Sequence, residues 1–268
     1  MTAMSLQPER IAALGDELFA ALRERRTLAP LSSREPGISI DDAYRISLRF
    51  LEQRQKQGEK VVGKKIGVTS KPVQDMLGVH QPDFGFLTDR MQVADGARVS
   101  LAQAGLIQPR AEGEIAFVLK RDLRGVTITA EQVLDATDHV SACFEIVDSR
   151  IHDWKIKIQD TVADNASCGV FVIGDQHIDP RSLDLAAAKM DIHKNGEHLA
   201  SGLGSAVQGH PAAAVAWLAN TLGQFGIPFL AGEIILSGSL APLLPAVPGD
   251  RFEMTIAGIG SASVSFEA

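Results

Sequence analysis

Residues 110–117 read Arg110-Ala111-Glu112-Gly113-Glu114-Ile115-Ala116-Phe117, the stretch that carries the most information about fold and site. The run from Glu114 to Leu119 is almost wholly apolar, as in a strand buried on both faces. Residues i and i+2 of a strand point to the same face, so Glu112 and Glu114 aim two carboxylates at one spot. Two such charges repel unless a cation lies between them or one takes up a proton. A solvated strand edge is the competing interpretation.

Short apolar runs bounded by Gly, Pro, Asn and Asp predict strands from residue 61 to the C-terminus. Asn195-Gly196 predicts a two-residue hairpin turn, and helices are predicted at Glu131–His139 and Pro211–Leu222. The spacing does not repeat a βαβ unit, so we expect a β-rich α+β domain and not a doubly wound sheet. The predicted strands are Val61–Val68, Glu114–Leu119, Ala142–Val147, Gly169–Ile173, Glu233–Ser237 and Phe252–Ile256.

The first sixty residues have a helical pattern. Apolar residues recur at helical spacing from Ile11 to Leu22, and Ser39 with Asp42 predicts a capping box at the start of a second helix. We therefore divide the chain into a helical N-terminal region, residues 1–60, and a β-rich main domain, residues 61–268.

Composition and charge exclude several classes of partner. The chain has 268 residues, 45% of them hydrophobic, and a formal net charge of -7. That charge argues against nucleic acid, although a local group of lysines can still attract a small anion. No segment approaches the ~18 apolar residues of a membrane span, and no signal peptide is evident. Because only two cysteines, Cys143 and Cys168, are present, we expect a reducing cytoplasm.

A third acidic residue strengthens the case for a metal site. Glu145 interrupts the predicted buried strand Ala142–Val147, where a lone carboxylate is costly unless it is paired or binds a metal. Three carboxylates without a nearby His or Cys favour a hard cation such as Mg²⁺ or Mn²⁺ over Zn²⁺. The alternative is a buried ion pair between Glu145 and either Arg110 or Arg150.

Two further residues are of chemical interest. Lys65 lies in an apolar strand, where it can bind an anion or donate a proton. Asp83 follows His80-Gln81-Pro82 and, taken alone, reads as a turn residue in a polar loop. The segment Asp164–Gly169 is a loop of small and polar residues, suited to close approach by a ligand.

Taken together, these blocks resemble the hydratase/decarboxylase branch of the fumarylacetoacetate hydrolase superfamily, in particular its 2-hydroxypenta-2,4-dienoate (2-oxopent-4-enoate) hydratases. The resemblance covers nearly the whole chain, and its blocks occur in the order of the family. They are residues 63–71 (GKKIGVTSK), 80–85 (HQPDFG), 109–117 (PRAEGEIAF), 145–150 (EIVDSR), 153–157 (DWKIK), 161–167 (TVADNAS) and 209–211 (GHP).

The resemblance implies specific roles and a fold. It places metal-binding carboxylates at Glu112, Glu114 and Glu145, for Mg²⁺ or Mn²⁺, and an active-site pair at Lys65 and Asp83. It implies a β-rich, roll-like or barrel-like main domain with a small helical N-terminal part. It also implies a homo-oligomer, since members of the family often assemble into rings built on five-fold symmetry. Weaker candidates for lining the pocket are Lys155, Lys157, Ser167 and Ser239.

The implied reaction is metal-dependent hydration of 2-hydroxypenta-2,4-dienoate to 4-hydroxy-2-oxopentanoate in aromatic meta-cleavage degradation. The first alternative is the sister reaction, decarboxylation of 4-oxalocrotonate (2-oxo-hex-3-enedioate), because both chemistries need the same charge-stabilising site. An acylpyruvate hydrolase is less favoured, since no His-carboxylate dyad is evident. An alternative of another class is a non-catalytic partner subunit of a hydratase-decarboxylase complex. A catalytic chain can also bind a 4-oxalocrotonate decarboxylase, which would pass the unstable dienol on directly.

Overall fold

The computed structural model describes residues 5–71, 74–75 and 78–268 and shows a mixed α+β fold. The helices are α1 (Pro8–Glu24), α2 (Leu31–Arg34), α3 (Ile40–Lys56), α4 (Ala130–Ala136), α5 (Ile158–Ala163) and α6 (Pro211–Gly223). The strands are β1 (Val61–Gly67), β2 (Asp83–Thr88), β3 (Gln92–Val93), β4 (Arg98–Ser100), β5 (Arg110–Leu119), β6 (Thr137–Val147), β7 (Cys168–Ile173), β8 (Lys189–Lys194), β9 (Glu197–Leu203), β10 (Ile234–Leu236), β11 (Leu244–Pro245), β12 (Arg251–Ile256) and β13 (Gly260–Glu267).

Two sheets form the main body. The larger is strongly curled and has the order β2-β1-β10-β5-β6-β7-β3, with β11 paired to one end of β5. The smaller has the order β4-β13-β12-β8-β9. One face of β5 and β6 packs on the smaller sheet, where Phe144 meets Phe252 edge-on at 6.3 Å between ring centroids. The opposite face of β5 and β6 is left for the acidic residues.

The N-terminal helices are held by their own apolar cluster. Ser39 and Asp42 form the predicted capping box at the start of α3. Apolar residues of α1 and α3, among them Leu14 and Phe50, pack with Val162 of α5. The predicted division at residues 60 and 61 falls between α3 and β1, and a division into two domains stays a prediction. Among the described residues, no helix is long and apolar enough to cross a membrane.

The structure confirms the predicted fold class and the existence of the predicted strands, but it corrects some bounds. The hairpin at Asn195-Gly196 joins β8 and β9 as expected. The helix predicted at Glu131–His139 ends at Ala136, because the chain from Thr137 onwards pairs with β5. The predicted loop around Asp83 is wrong: residues 83–88 form β2, which pairs antiparallel with β1. Tertiary pairing here outweighs the local turn signal of Pro82.

One buried ion pair ties the loop after α5 to the chain that follows β6. Arg150 is fully buried and donates from Nε to Asp164 Oδ1 at 2.6 Å. Its Nη2 donates to the Asp164 carbonyl at 2.8 Å, and its Nη1 to the Cys168 carbonyl at 3.2 Å. The suggested partnership of Glu145 with Arg150 is therefore wrong, since the guanidinium is committed to Asp164.

We predict that Asp164→Asn lowers the free energy of unfolding by about 3–5 kcal/mol, because it leaves the Arg150 charge buried without its partner. Urea unfolding at pH 8 measures this. Burial raises the pKa of Asp164 to about 6, although the charge of the Arg150 guanidinium lowers it. At pH 8 the carboxyl is therefore ionised in the wild type.

The matched control is Arg181→Met. Arg181 is exposed and pairs with Glu131 and Asp135 at the surface, so its loss is expected to leave the unfolding midpoint almost unchanged. Equal midpoints for Asp164→Asn and Arg181→Met would contradict the structural role of the buried pair.

Candidate functional site

Three glutamates of β5 and β6 meet on one face of the larger sheet. Glu112 lies directly opposite Glu145 in the antiparallel ladder, and Glu114 lies two residues farther along β5. One carboxylate oxygen from each residue lies within 4.8 Å of those of the other two. Strand alternation thus brings together the three residues that the sequence singled out.

The three carboxylates are buried with few partners. Glu114 and Glu145 are fully buried, and Glu112 is partly buried. Glu114 Oε2 accepts a hydrogen bond of 2.8 Å from the Gly238 N–H, but Glu114 Oε1 and both oxygens of Glu145 accept none. Burial, reinforced by the Glu145 charge, raises the pKa of Glu112 to about 8 and also raises that of Glu114. The cluster therefore holds an excess of negative charge.

Lys65 supplies one cation to this cluster. It lies on β1 in the same row as Leu236 of β10 and Ala116 of β5, so its side chain shares the face of the glutamates. Its Nζ lies 3.2 Å from Glu145 Oε1 and donates to the Ala166 carbonyl at 3.0 Å. Burial disfavours the charged ammonium and by itself lowers the pKa of Lys65. The neighbouring carboxylates, of which Glu145 has the largest effect, outweigh burial and raise this pKa.

Asp83 begins β2 beside Lys65. It pairs with Gly67 of β1, and a Cβ at Gly67 would overlap Asp83 Oδ1 and lie 3.3 Å from Lys65 Nζ. A glycine is therefore needed where these two groups approach. Asp83 is buried, neither of its carboxylate oxygens accepts a hydrogen bond from another side chain, and burial raises its pKa to about 6 despite Lys65.

The weaker candidates lie differently. Ser167 is buried, and its hydroxyl lies 3.1 Å from that of Thr161, beside the Ala166 carbonyl that holds Lys65. Ser239 donates to the Ala241 carbonyl at 2.6 Å and adjoins Gly238, so its hydroxyl stabilises a turn behind Glu114. Lys155 and Lys157 are exposed, and Lys157 precedes α5. The structure does not bring these two lysines to the glutamates.

Backbone groups of the site escaped the sequence analysis. The Gly238 N–H holds Glu114, and the Ala166 carbonyl holds Lys65. Every residue has such groups, so no residue type marks them. Asn165 belongs to the predicted loop Asp164–Gly169, and the preference of asparagine for left-handed backbone is the signal that marks it.

The residues present fit a divalent metal ion. Among residues 5–71, 74–75 and 78–268, Lys65 alone places a cationic group within 4 Å of a carboxylate of this cluster, that of Glu145. Unpartnered carboxylate oxygens remain on Glu114 and Glu145. An all-oxygen ligand set suits Mg²⁺ or Mn²⁺. A bound cation would counteract both the burial and the mutual repulsion that raise the pKa values of Glu112 and Glu114.

Comparison with known proteins places the chain in a family. Residues 54–266 match the family model "Fumarylacetoacetate (FAA) hydrolase C-terminal". The chain is 71% identical over 252 residues to a 2-hydroxyhexa-2,4-dienoate hydratase of Comamonas testosteroni, covering 94% of this chain and 96% of that protein. It is 62% identical over 214 residues to a 2-hydroxypent-2,4-dienoate hydratase of Pseudomonas putida, covering 80% and 96%.

A solved structure has the same fold. It is 4-oxalocrotonate decarboxylase from Pseudomonas putida G7, complexed with magnesium and adipate. The TM-score is 0.93 at 34% identity, and the match covers 97% of this chain and 98% of that one. On these matches, the chain belongs to the fumarylacetoacetate hydrolase family.

Proposed function

We propose that this chain is a hydro-lyase that adds water to 2-hydroxypenta-2,4-dienoate and gives 4-hydroxy-2-oxopentanoate, in aromatic meta-cleavage degradation. The observation that carries the proposal is the convergence of Glu112, Glu114, Glu145, Lys65 and Asp83 in a chain 71% identical to a named dienoate hydratase. The relatives at 71% and 62% are named for six-carbon and five-carbon dienoates respectively, so we propose short 2-hydroxy-2,4-dienoates as the substrate class.

The metal ligands in this proposal are Glu112, Glu114 and Glu145, and the ion is Mg²⁺ or Mn²⁺. The decarboxylase of the same fold was solved with magnesium, and a second structure of it with calcium. When bound, such an ion makes an enol more acidic and stabilises negative charge on the substrate's oxygens. Glu114 is aimed by the Gly238 N–H, which leaves its second oxygen available as a ligand.

The chain's own proton donors and acceptors are Lys65 and Asp83. In hydration the 2-hydroxyl of the dienol loses its proton while C5 gains one. Water then bonds to C4 through its oxygen and releases a proton, while C3 gains one, so the net change is the addition of one water. The Lys65 ammonium is held by the Ala166 carbonyl beside Glu145, so it can donate a proton from a fixed position. Asp83 has two free oxygens and a pKa of about 6, which suits a group that accepts a proton from water and returns it.

The sister decarboxylation is the second candidate, favoured by the TM-score of 0.93 with 4-oxalocrotonate decarboxylase. The identity is 34% to that enzyme against 71% and 62% to the two hydratases, so hydration is the better supported reaction. A non-catalytic partner subunit is less favoured, because a chain without catalysis need not keep these buried charges.

Three further proposals concern the surroundings of the enzyme. We propose that it works in the cytoplasm and as a homo-oligomer built on five-fold symmetry. We also propose a complex with 4-oxalocrotonate decarboxylase. These rest on the family resemblance, and size measurements in solution, with and without the decarboxylase, test the last two.

The experiment that tests the function follows the ultraviolet absorbance of freshly generated 2-hydroxypenta-2,4-dienoate. We expect loss of the dienol absorbance with Mg²⁺ or Mn²⁺, formation of 4-hydroxy-2-oxopentanoate, and no turnover in EDTA. Turnover of 2-oxo-hex-3-enedioate with release of CO₂, and none of the dienoate, would assign the decarboxylase reaction instead.

We predict that Mn²⁺ stabilises the protein through the glutamate cluster. At a concentration one hundred times the dissociation constant, a bound ion adds about 2.7 kcal/mol to the free energy of unfolding. Thermal unfolding with and without Mn²⁺ measures this. In Glu145→Gln the increase is expected to be largely lost, because a neutral amide is a poorer ligand. The control Glu131→Gln, at an exposed helix residue, should keep it. An equal Mn²⁺ effect in both variants would refute the assigned ligands.

We predict that Lys65→Met lowers kcat by about 10²–10⁴-fold, the range expected for loss of a proton-transfer group. The matched control is Lys64→Met, since Lys64 is equally buried but pairs with Glu233. Lys64→Met should lose stability and keep most of its activity per folded molecule. Initial rates, scaled by the folded fraction from circular dichroism, compare the two. Similar kcat values for both variants would remove Lys65 from the mechanism.

A further inference from the structure

The loop between α5 and β7 has an unusual backbone. Asn165, Ala166 and Ser167 have φ angles of 56°, 50° and 55°, three consecutive residues in the left-handed region. None of them is glycine, and residues with a Cβ disfavour this conformation. Strained backbone of this kind persists only where the surrounding structure fixes it.

The loop delivers a single group to the site. The Ala166 carbonyl accepts from Lys65 Nζ at 3.0 Å and is the hydrogen-bond acceptor of that ammonium among the described residues. Glu145 Oε1, at 3.2 Å, provides the opposing charge. The position of the Lys65 ammonium relative to the glutamates thus depends on where the loop places this carbonyl.

The Asn165 side chain fixes the loop against β2. Its Oδ1 accepts from the Phe86 N–H at 2.8 Å, and its Nδ2 donates to the Phe86 carbonyl at 2.9 Å. Asn165 is buried, and its carbonyl approaches Gly85 so closely that a Cβ there would lie 2.5 Å away. The side chain therefore acts as one more strand partner for β2, the strand that begins with Asp83.

We propose that Asn165 is a positioning residue for Lys65. Asn165 docks the left-handed loop on β2 and thereby sets the position of the Ala166 carbonyl. That carbonyl in turn sets the position of the Lys65 ammonium, which lies on the strand paired with the one that carries Asp83. Arg150 fixes the two ends of the loop through the carbonyls of Asp164 and Cys168, and Asn165 fixes its middle. The catalytic part of the inference rests on the proposed function.

The experiment compares Asn165→Ala and Asn165→Gly with a matched control, Asn195→Ala. Asn195 is also left-handed, with φ 55°, and its side chain also makes two hydrogen bonds, to the Arg251 N–H at 2.8 Å and to Asp250 at 3.2 Å. It lies in the β8–β9 hairpin, remote from Lys65 in the sheet order. Glycine adopts left-handed backbone readily, so Asn165→Gly removes the hydrogen bonds without adding strain and remains informative if Asn165→Ala does not fold.

We expect both Asn165 variants to lose kcat by at least about tenfold, because a small displacement of a catalytic group is costly. KM should stay within about threefold, since the glutamates are untouched. Asn195→Ala should retain wild-type kcat despite a lower melting temperature. If Asn165→Gly keeps the kcat of Asn195→Ala, the side chain does not position Lys65 and the inference is overturned.

A second measurement does not depend on turnover. In the native protein Lys65 is 2% exposed, and limiting acetic anhydride followed by mass spectrometry measures how fast it is acetylated. We expect faster labelling of Lys65 in both Asn165 variants and no change in Asn195→Ala, with Lys64 as the internal reference. Unchanged labelling overturns the inference. If the wild type fails to hydrate the dienoate, the proposed function falls while this measurement still decides the role of Asn165.

Discussion

An excess of buried negative charge is the constraint on which the site depends. Glu112, Glu114 and Glu145 bring carboxylate oxygens within 4.8 Å of one another. Among the described residues, Lys65 alone places a cationic group in contact with this cluster, at Glu145. Such a cluster is costly in an apolar interior unless protons or a metal ion offset it. Without an ion, burial and the neighbouring charge of Glu145 raise the pKa of Glu112. A bound divalent ion would offset the same excess of negative charge.

The fold supplies this arrangement by strand pairing. β5 and β6 set Glu112 opposite Glu145, and β1 between β2 and β10 carries Lys65 to the same face. Below the charged groups this face is apolar, with Ala116, Leu236 and further residues in one buried cluster. The loop after α5 then fixes the ammonium through a backbone carbonyl. The strands thus hold the three carboxylates, while a strained loop sets the position of the Lys65 ammonium.

Much of this could be predicted from sequence, since strand alternation alone places Glu112 and Glu114 on one face. Glu145 stood out as a charge within an apolar run. The position of Asp83 was harder to predict, because Pro82 gives a turn signal and the strand that follows depends on its pairing with β1. The contacts of Ala166 and Gly238 could not be predicted, since they involve backbone groups. Lys157 was a plausible candidate for binding an anionic substrate because of its charge. Its exposed position before α5 could not be predicted, since it depends on how the chain packs.

The most direct test of the account is anomalous diffraction from crystals grown with Mn²⁺, measured at a wavelength where manganese scatters anomalously. We expect an anomalous peak bounded by the carboxylates of Glu112, Glu114 and Glu145, with Lys65 beside it and not a ligand. A well-ordered structure in which these three carboxylates hold no ion at saturating Mn²⁺, or in which the peak lies elsewhere, would contradict it.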